Sequence, residues 1–405
     1  MFEPNEFRIF VVLLCIGSLV PNMSLAHEVT WKSFVSKPEK ITTKNLVPDL
    51  ALSELCKNSS LKSSTSVETA PNISTIGRID LDNYVTGVAW SDNGLYVATS
   101  ENYDRIVKIW SFPALKLLHT IDKGQAGALN QNNLFFSEDN KFLITSSAVP
   151  YAENSGSALS LIDVISGKIV KNVRGYDVPP RYPLADVPSD SRLSADGRYL
   201  FLQFNGDVWD EYVIDTTVWS IVNKISDAEL TMDTGPEKDQ ISLTHMITLP
   251  NGNPQAPEDH QQRIEVWDQN LKKFVFDANF LTEPVFPITT MGINIETCTF
   301  VFGSFRSSAN NGLAVWYPAF SQVYILPSET PVTDLSISRT ADLVATIDNY
   351  SNVNLLYLGD RNSGTFETTS LKTPDHPFSL AFSEDGNFLA VAANNQVTFY
   401  EMERR

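Results

Sequence analysis

One turn phrase recurs five times along this 405-residue chain, and its spacing constrains the fold more than any other feature. The copies are Ser91-Asp-Asn-Gly-Leu-Tyr-Val-Ala-Thr, Ser137-Glu-Asp-Asn-Lys-Phe-Leu-Ile-Thr, Ser194-Ala-Asp-Gly-Arg-Tyr-Leu-Phe-Leu, Ser338-Arg-Thr-Ala-Asp-Leu-Val-Ala-Thr and Ser383-Glu-Asp-Gly-Asn-Phe-Leu-Ala-Val. Their starts lie 46, 57, 144 and 45 residues apart. The long interval is three periods of about 48, the length of a repeat that builds solenoids, arrays or propellers, so two degenerate copies are expected between Ser194 and Ser338.

Each phrase reads as a hairpin turn between two strands. Asp or Asn followed by Gly suits a position that must take positive φ, because Gly has no Cβ to clash and the Asx side chain caps the turn's own backbone. The strand before the turn alternates, as in Val85, Val88 and Trp90 of Val85-Thr-Gly-Val-Ala-Trp90. A third strand tends to end in an aromatic, as in Ile106-Val-Lys-Ile-Trp110, Ile264-Glu-Val-Trp267 and Leu313-Ala-Val-Trp316. A fourth, such as Lys116-Leu-Leu-His-Thr-Ile121, completes the unit.

These units resemble WD40 and YVTN-like β-propeller repeats over residues 73–405. Ile109-Trp110-Ser111 and Val266-Trp267-Asp268 stand where the family has its Trp-Asp pair, and Asp104 stands where it often has a turn aspartate. The Gly-His pair of WD40 repeats is missing, so the family's Asp-His-Ser-Trp hydrogen-bond network does not carry over. The resemblance implies an all-β, seven-bladed propeller with units at 84–122, 127–174, 187–226, 239–280, 284–327, 329–372 and 375–405. The last unit stops after its third strand, and Ser74-Thr-Ile-Gly-Arg-Ile-Asp80 is a strand without a unit. The expectation is that the N-terminal strand completes the C-terminal blade and removes the open edges.

Ahead of the repeats, the apolar run Ile9–Val20 followed by Pro21 and Ser24-Leu25-Ala26 resembles a cleaved export signal over 1–26, although Glu3 and Glu6 face a single Arg8 before it. The run is too short for a bilayer span of about 20 residues, and the mature chain is expected to have no integral membrane segment. Residues 27–72 read as a polar tail or linker, with a short helix over 48–56. Asn58, Asn72 and Asn349 head N-x-Ser sequons. Cys56 and Cys298 remain in the mature chain; Cys298 reads as a buried free thiol opening an apolar strand, with a Cys56–Cys298 disulfide the alternative in an exported chain.

A formal charge of −18 without a basic run argues against nucleic acid and anionic membranes as partners. The five histidines form no His-x-x-x-His or His-Glu-x-x-His pattern, and no nucleophile elbow or phosphate loop occurs, so no catalytic, cofactor or metal residue is assigned. In a propeller, the connections between strands one and two and between three and four share one face, where this chain reads as short turns. The opposite face collects the irregular sequence, and loops on a rigid scaffold are where binding residues concentrate. Tyr151, Tyr176, Tyr182 and Trp209 are the expected aromatic anchors there, with Arg181, Asp207 and Arg306 as polar contacts. The function expected is an exported, non-enzymatic propeller that binds a protein or peptide through this face. The alternatives are a lactonase-like or quinoprotein-dehydrogenase-like protein using the central channel, or an envelope subunit joined through the tail.

Overall fold

The computed structural model describes residues 32–33, 39–42, 70–101, 105–123, 134–137, 139–147, 158–174, 188–193, 198–204, 210–218, 220–226, 230–232, 243–250, 260–267, 273–277, 288–294, 297–304, 312–317, 322–327, 332–338, 342–348, 350–359, 366–373 and 376–403. Strands β1 (Lys32–Ser33), β2 (Glu39–Thr42) and β3 (Asn72–Asp80) come first. They are followed by β4 (Val85–Trp90), β5 (Tyr96–Glu101), β6 (Ile106–Ser111) and β7 (Lys116–Asp122), then by β8 (Leu134–Phe136), β9 (Phe142–Ser147), β10 (Ala158–Asp163) and β11 (Lys168–Arg174). The third group is β12 (Pro188–Leu193), β13 (Tyr199–Phe204), β14 (Asp210–Asp215) and β15 (Ser220–Ser226), and the fourth β16 (Leu230–Met232), β17 (Leu243–Pro250), β18 (His260–Trp267) and β19 (Lys273–Asp277). The fifth is β20 (Ile288–Asn294), β21 (Thr299–Ser304), β22 (Gly312–Tyr317) and β23 (Gln322–Pro327). The sixth is β24 (Val332–Ile337), β25 (Leu343–Asp348), β26 (Val353–Tyr357) and β27 (Glu367–Leu371), and the last β28 (Pro377–Phe382), β29 (Phe388–Ala393) and β30 (Gln396–Glu403).

Each group is an antiparallel meander, giving seven sheets among the described residues. First strands touch first strands: β4 meets β8 and β28, β24 meets β20 and β28, and β16 meets β12 and β20. The first strands therefore form an inner layer from which the sheets fan outward, as in a β-propeller. The core lies between neighbouring sheets, because a strand's period of two sends alternate side chains to opposite faces. In β26, Val353, Leu355 and Tyr357 pack toward the last sheet with Leu380, Leu389 and Tyr400. Leu356 of the same strand packs toward the fifth sheet with Val315, Tyr317 and Tyr324.

The recurring phrase has one physical explanation. Ser383 Oγ donates to Asp385 Oδ1 at 2.6 Å and accepts from the Phe388 amide at 2.9 Å. The same pair of bonds joins Ser91 to Asn93 and Tyr96, Ser137 to Asp139 and Phe142, and Ser338 to Asp342 and Leu343. Gly94 and Gly386 both take φ 67° in the position reserved for glycine. The Ser194 copy lies outside the described residues. In the fifth sheet Asn294 replaces the serine, accepting from the amide and hydroxyl of Thr297, which is why this copy is illegible as a phrase.

Strand β3 pairs with β30 from Asn72 opposite Glu403 to Asp80 opposite Gln396, supplying the fourth strand that the C-terminal group lacks. Within the stretch read as an unpatterned tail, β2 pairs with β23 and β1 with β27, so two sheets gain a fifth, outer strand. The fourth unit begins at Leu230, upstream of the expected 239, because its first strand has only three residues and shows no alternation. The leader, the 48–56 helix and the sequons at Asn58 and Asn349 fall outside the described residues.

Strand direction sorts the connections into a turn face, holding the serine phrases, and a loop face. The turn face is not uniformly short. Ten residues, 233–242, separate β16 from β17 in sequence, and nine, 358–366, separate β26 from β27. Cys298, buried at the end of the β20–β21 turn with φ 48°, is disulfide-bonded, which corrects the free-thiol expectation.

Candidate functional site

The expected anchors Tyr151, Tyr176, Arg181, Tyr182, Asp207, Trp209 and Arg306 all lie outside the described residues. The strand ends that flank them are described. The connections 148–157, 175–187, 205–209 and 305–311 each leave and rejoin strands at the loop face.

The described part of that face centres on the seam between the last sheet and the first. Strand β3 ends there and the chain turns through Leu81, Asp82, Asn83 and Tyr84 into β4. The turn is fixed to the β29–β30 hairpin: the amides of Leu81 and Val85 donate to the carbonyls of Asn395 and Asn394, both at 2.7 Å, and Asn395 Nδ2 returns a bond to the Leu81 carbonyl. Asn394 and His376 take φ 49° and 61°, and the Asn394 amide donates to the His376 carbonyl. Above this frame Tyr84 meets the Phe378 ring edge-on, with centroids 4.5 Å apart. Tyr84 and His376 are exposed. Farther along the loop face, Tyr350 is 72% exposed on a turn whose backbone is gathered by Asp348, with Oδ1 accepting from the amides of Tyr350 and Asn352.

Beneath the seam sits a buried ion pair. Glu101 ends β5 with its side chain fully enclosed, and Lys108 Nζ lies 3.0 Å from its Oε1. The same ammonium donates to Asp82, which is 89% exposed, at 3.1 Å. The Asn83 amide and Nδ2 both donate to Glu101 Oε2. Burial works against the charge on Lys108, but hydrogen bonds and charge from Glu101 and Asp82 outweigh it and hold its pKa above the ordinary value. A lysine so held stays protonated. It suits structural pairing and not nucleophilic catalysis, which needs a depressed pKa.

Deeper in the seam, Trp90 Nε1 donates to the Ala381 carbonyl across the two sheets, and its ring packs against Phe112 and Phe399. Trp110 Nε1 donates to Thr99 Oγ1 at 3.1 Å, so the indole-to-hydroxyl half of the family's network is present although the histidine is not. On the other flank, Arg105 grips Asp122 with two bonds and Lys123 reaches Thr145 of the second sheet. No group of three His, Cys, Asp or Glu among the described residues is placed to hold a metal ion. Tyr84, His376 and Tyr350 sit on short connections and Phe378 lies within β28, so loop length gives no signal for them in the sequence. A lysine between Val107 and Ile109 was a legible signal for the ion pair.

This seam contains the stretch that matches a known family: residues 76–111 match WD40, described as WD domain, G-beta repeat. Among solved structures the chain is similar to hydrazine synthase of Kuenenia stuttgartiensis, at a TM-score of 0.58 and 13% identity, covering 80% of this chain and 97% of that one. That likeness shows the fold alone. No curated protein sequence matches the chain. The fold is a β-propeller, and one of its stretches, residues 76–111, matches a WD40 repeat.

Proposed function

We propose that this chain is an exported, seven-bladed propeller, closed by β3, that binds a protein or peptide partner through its loop face and has no catalysis of its own. The proposed organisation is a leader over 1–26, a tail over 27–72 and the propeller over 73–405. The observation that carries the reading is the pairing of exposed aromatic side chains with rigid supports on one face. Tyr84 and Tyr350 project from turns fixed by backbone and Asx hydrogen bonds, so a partner that engages them orders little additional chain. The formal charge of −18 adds that nucleic acid is a poor partner and that cationic surfaces are favoured.

The experiment is affinity capture from the exported fraction of the native host. The parent is run beside a Tyr151→Ala, Tyr182→Ala, Trp209→Ala variant and a Tyr84→Ala, Tyr350→Ala variant, each shown to be folded by circular dichroism. A partner retained by the parent and lost by either variant supports the loop face. A partner retained by both transfers the site to the turn face or tail, and a parent that captures nothing yet is stabilised by a small molecule favours the channel alternative. Export is tested by N-terminal sequencing of the mature protein, expected to begin at His27.

A further inference from the structure

The outer edges of the sheets are finished in different ways. Four outer strands carry a β-bulge where the register skips one residue: Ile76 in β3, Leu118 in β7, Val170 in β11 and Val222 in β15. All four are large apolar residues, at least 38% exposed. A bulge bends and twists an edge strand and spoils it as a template for another chain. Strands β23 and β27 are regular, pairing residue by residue with their inner neighbours. They are the two that accept a fifth strand, β2 and β1. Bulged edges stay as they are, and regular edges take a strand.

The remaining outer strand, β19, is regular from Lys273 opposite Trp267 to Asp277 opposite Arg263. Among the described residues it has no strand on its outer side. The tail strands do not lead toward it. β1 lies on the sixth sheet and β2 on the fifth, and the next described strand, β3, closes the last sheet, on the far side of the sixth.

The sequence of β19 specifies what fits it. Lys273-Phe-Val-Phe-Asp277 has a positive residue at one end, a negative one at the other and apolar residues between. An antiparallel partner must bring a negative residue opposite Lys273 and a positive one opposite Asp277, with aromatic or β-branched residues between them. β19 itself meets that description. Paired about Val275 with a second copy, Lys273 stands opposite Asp277, Phe274 opposite Phe276 and Val275 opposite its own equivalent.

We propose that β19 is a dimerisation edge, through which two copies of this chain join their four-stranded fourth sheets into one antiparallel sheet about a two-fold axis at Val275. The symmetry uses each charged residue once in each direction, so both ends of the pairing carry an opposite-charge pair. β19 runs from the turn face to the loop face, so antiparallel pairing points the two loop faces in opposite directions. The contact lies on the rim and leaves both loop faces open.

The test is sedimentation velocity on the full mature chain from about 1 to 100 μM, with every variant shown to be folded by circular dichroism. The parent is expected to shift reversibly from monomer to dimer. Lys273→Asp and Asp277→Lys each set like charges opposite one another at both ends of the pairing, and each alone is expected to weaken dimerisation about tenfold. An equimolar mixture of the two is expected to form the mixed dimer, and the double variant, which exchanges the two charges, to recover the homodimer. A parent that stays monomeric over the whole range, as it would with its own tail already seated on β19, overturns the proposal. So does a dimer that neither single variant weakens, or one that the double variant fails to restore.

Discussion

Lys108 lies between Val107 and Ile109 in a strand whose other neighbours are buried, and its charge is accommodated only because Glu101 arrives from β5 and Asp82 from the seam turn. Both charges are shielded from water on the side that matters. Removing one partner strands the other, at about 3–5 kcal/mol, whereas replacing both with apolar residues of similar volume is often neutral. Lys108→Met is therefore expected to lower stability by about 3–5 kcal/mol and a Lys108→Met, Glu101→Leu double variant to recover most of that. Urea unfolding of the four-member cycle checks it; additive single effects would show that the pair is not coupled. The lysine was visible in the sequence, but Glu101 was not recognisable as its partner. Their pairing depends on the cross-strand register of β5 and β6, which places Glu101 opposite Ile106 and leaves Lys108 one diagonal step away.

At the scale of elements, the legible strands were those with a period or a phrase. The serine turns could be read because each needs the same two side-chain bonds, and the gap after Tyr400 could be read because a meander lacked its fourth member. β16, β1 and β2 could not, since two to four residues carry no alternation and exist through the edges they pair with. The loop-face anchors chosen from sequence remain a matter of loop length and aromatic content, while Tyr84 and Tyr350 emerge only once the turns are folded. β3 is the element on which closure rests. Ile73 and Ile79 enter two different cores from it, one shared with the sixth sheet and one with the first. A chain beginning at Leu81 loses both cores' contributions and exposes the whole edge of β30, an unpaired template for other chains. Such a truncation is expected to run as soluble oligomers or aggregate in size-exclusion chromatography with light scattering, where the parent gives one stable species. A synthetic peptide of residues 72–80 should shift it back, and a monodisperse, equally stable truncation would remove closure by β3 from the account.

For the whole molecule, titration sets both ends of the stability range. At the acid end, burial works against the Asp215 carboxylate, but Thr217 and Arg198 outweigh it and hold its pKa below the ordinary 3.8. Burial likewise opposes the Asp139 charge, and Lys141 and Ser137 overcome it. A carboxyl depressed in the folded state contributes stability that is present above its unfolded pKa and is lost as pH falls through the folded one. At the alkaline end, burial pushes the Tyr400 phenol from 10.0 to about 12, and its hydroxyl donates to the Lys372 carbonyl. Lys108 is also raised above 10.5. Groups raised on folding contribute fully below their unfolded pKa values and lose that contribution as pH climbs toward the folded ones. The urea midpoint is thus expected to be level through neutral pH, to fall below about pH 4, and to fall again from about pH 10 upward. The alkaline fall is steepened by the growing repulsion of a chain already at −18. Tyr400→Phe separates the terms, because it keeps the ring in the core shared with Leu380 and Met402 while removing the ionisable oxygen. It is expected to be less stable than the parent at pH 8, where the bond to Lys372 is missing, yet to lose less between pH 10 and 12. An unchanged slope in that window would mean that general charge repulsion, and not the buried phenol, sets the alkaline limit.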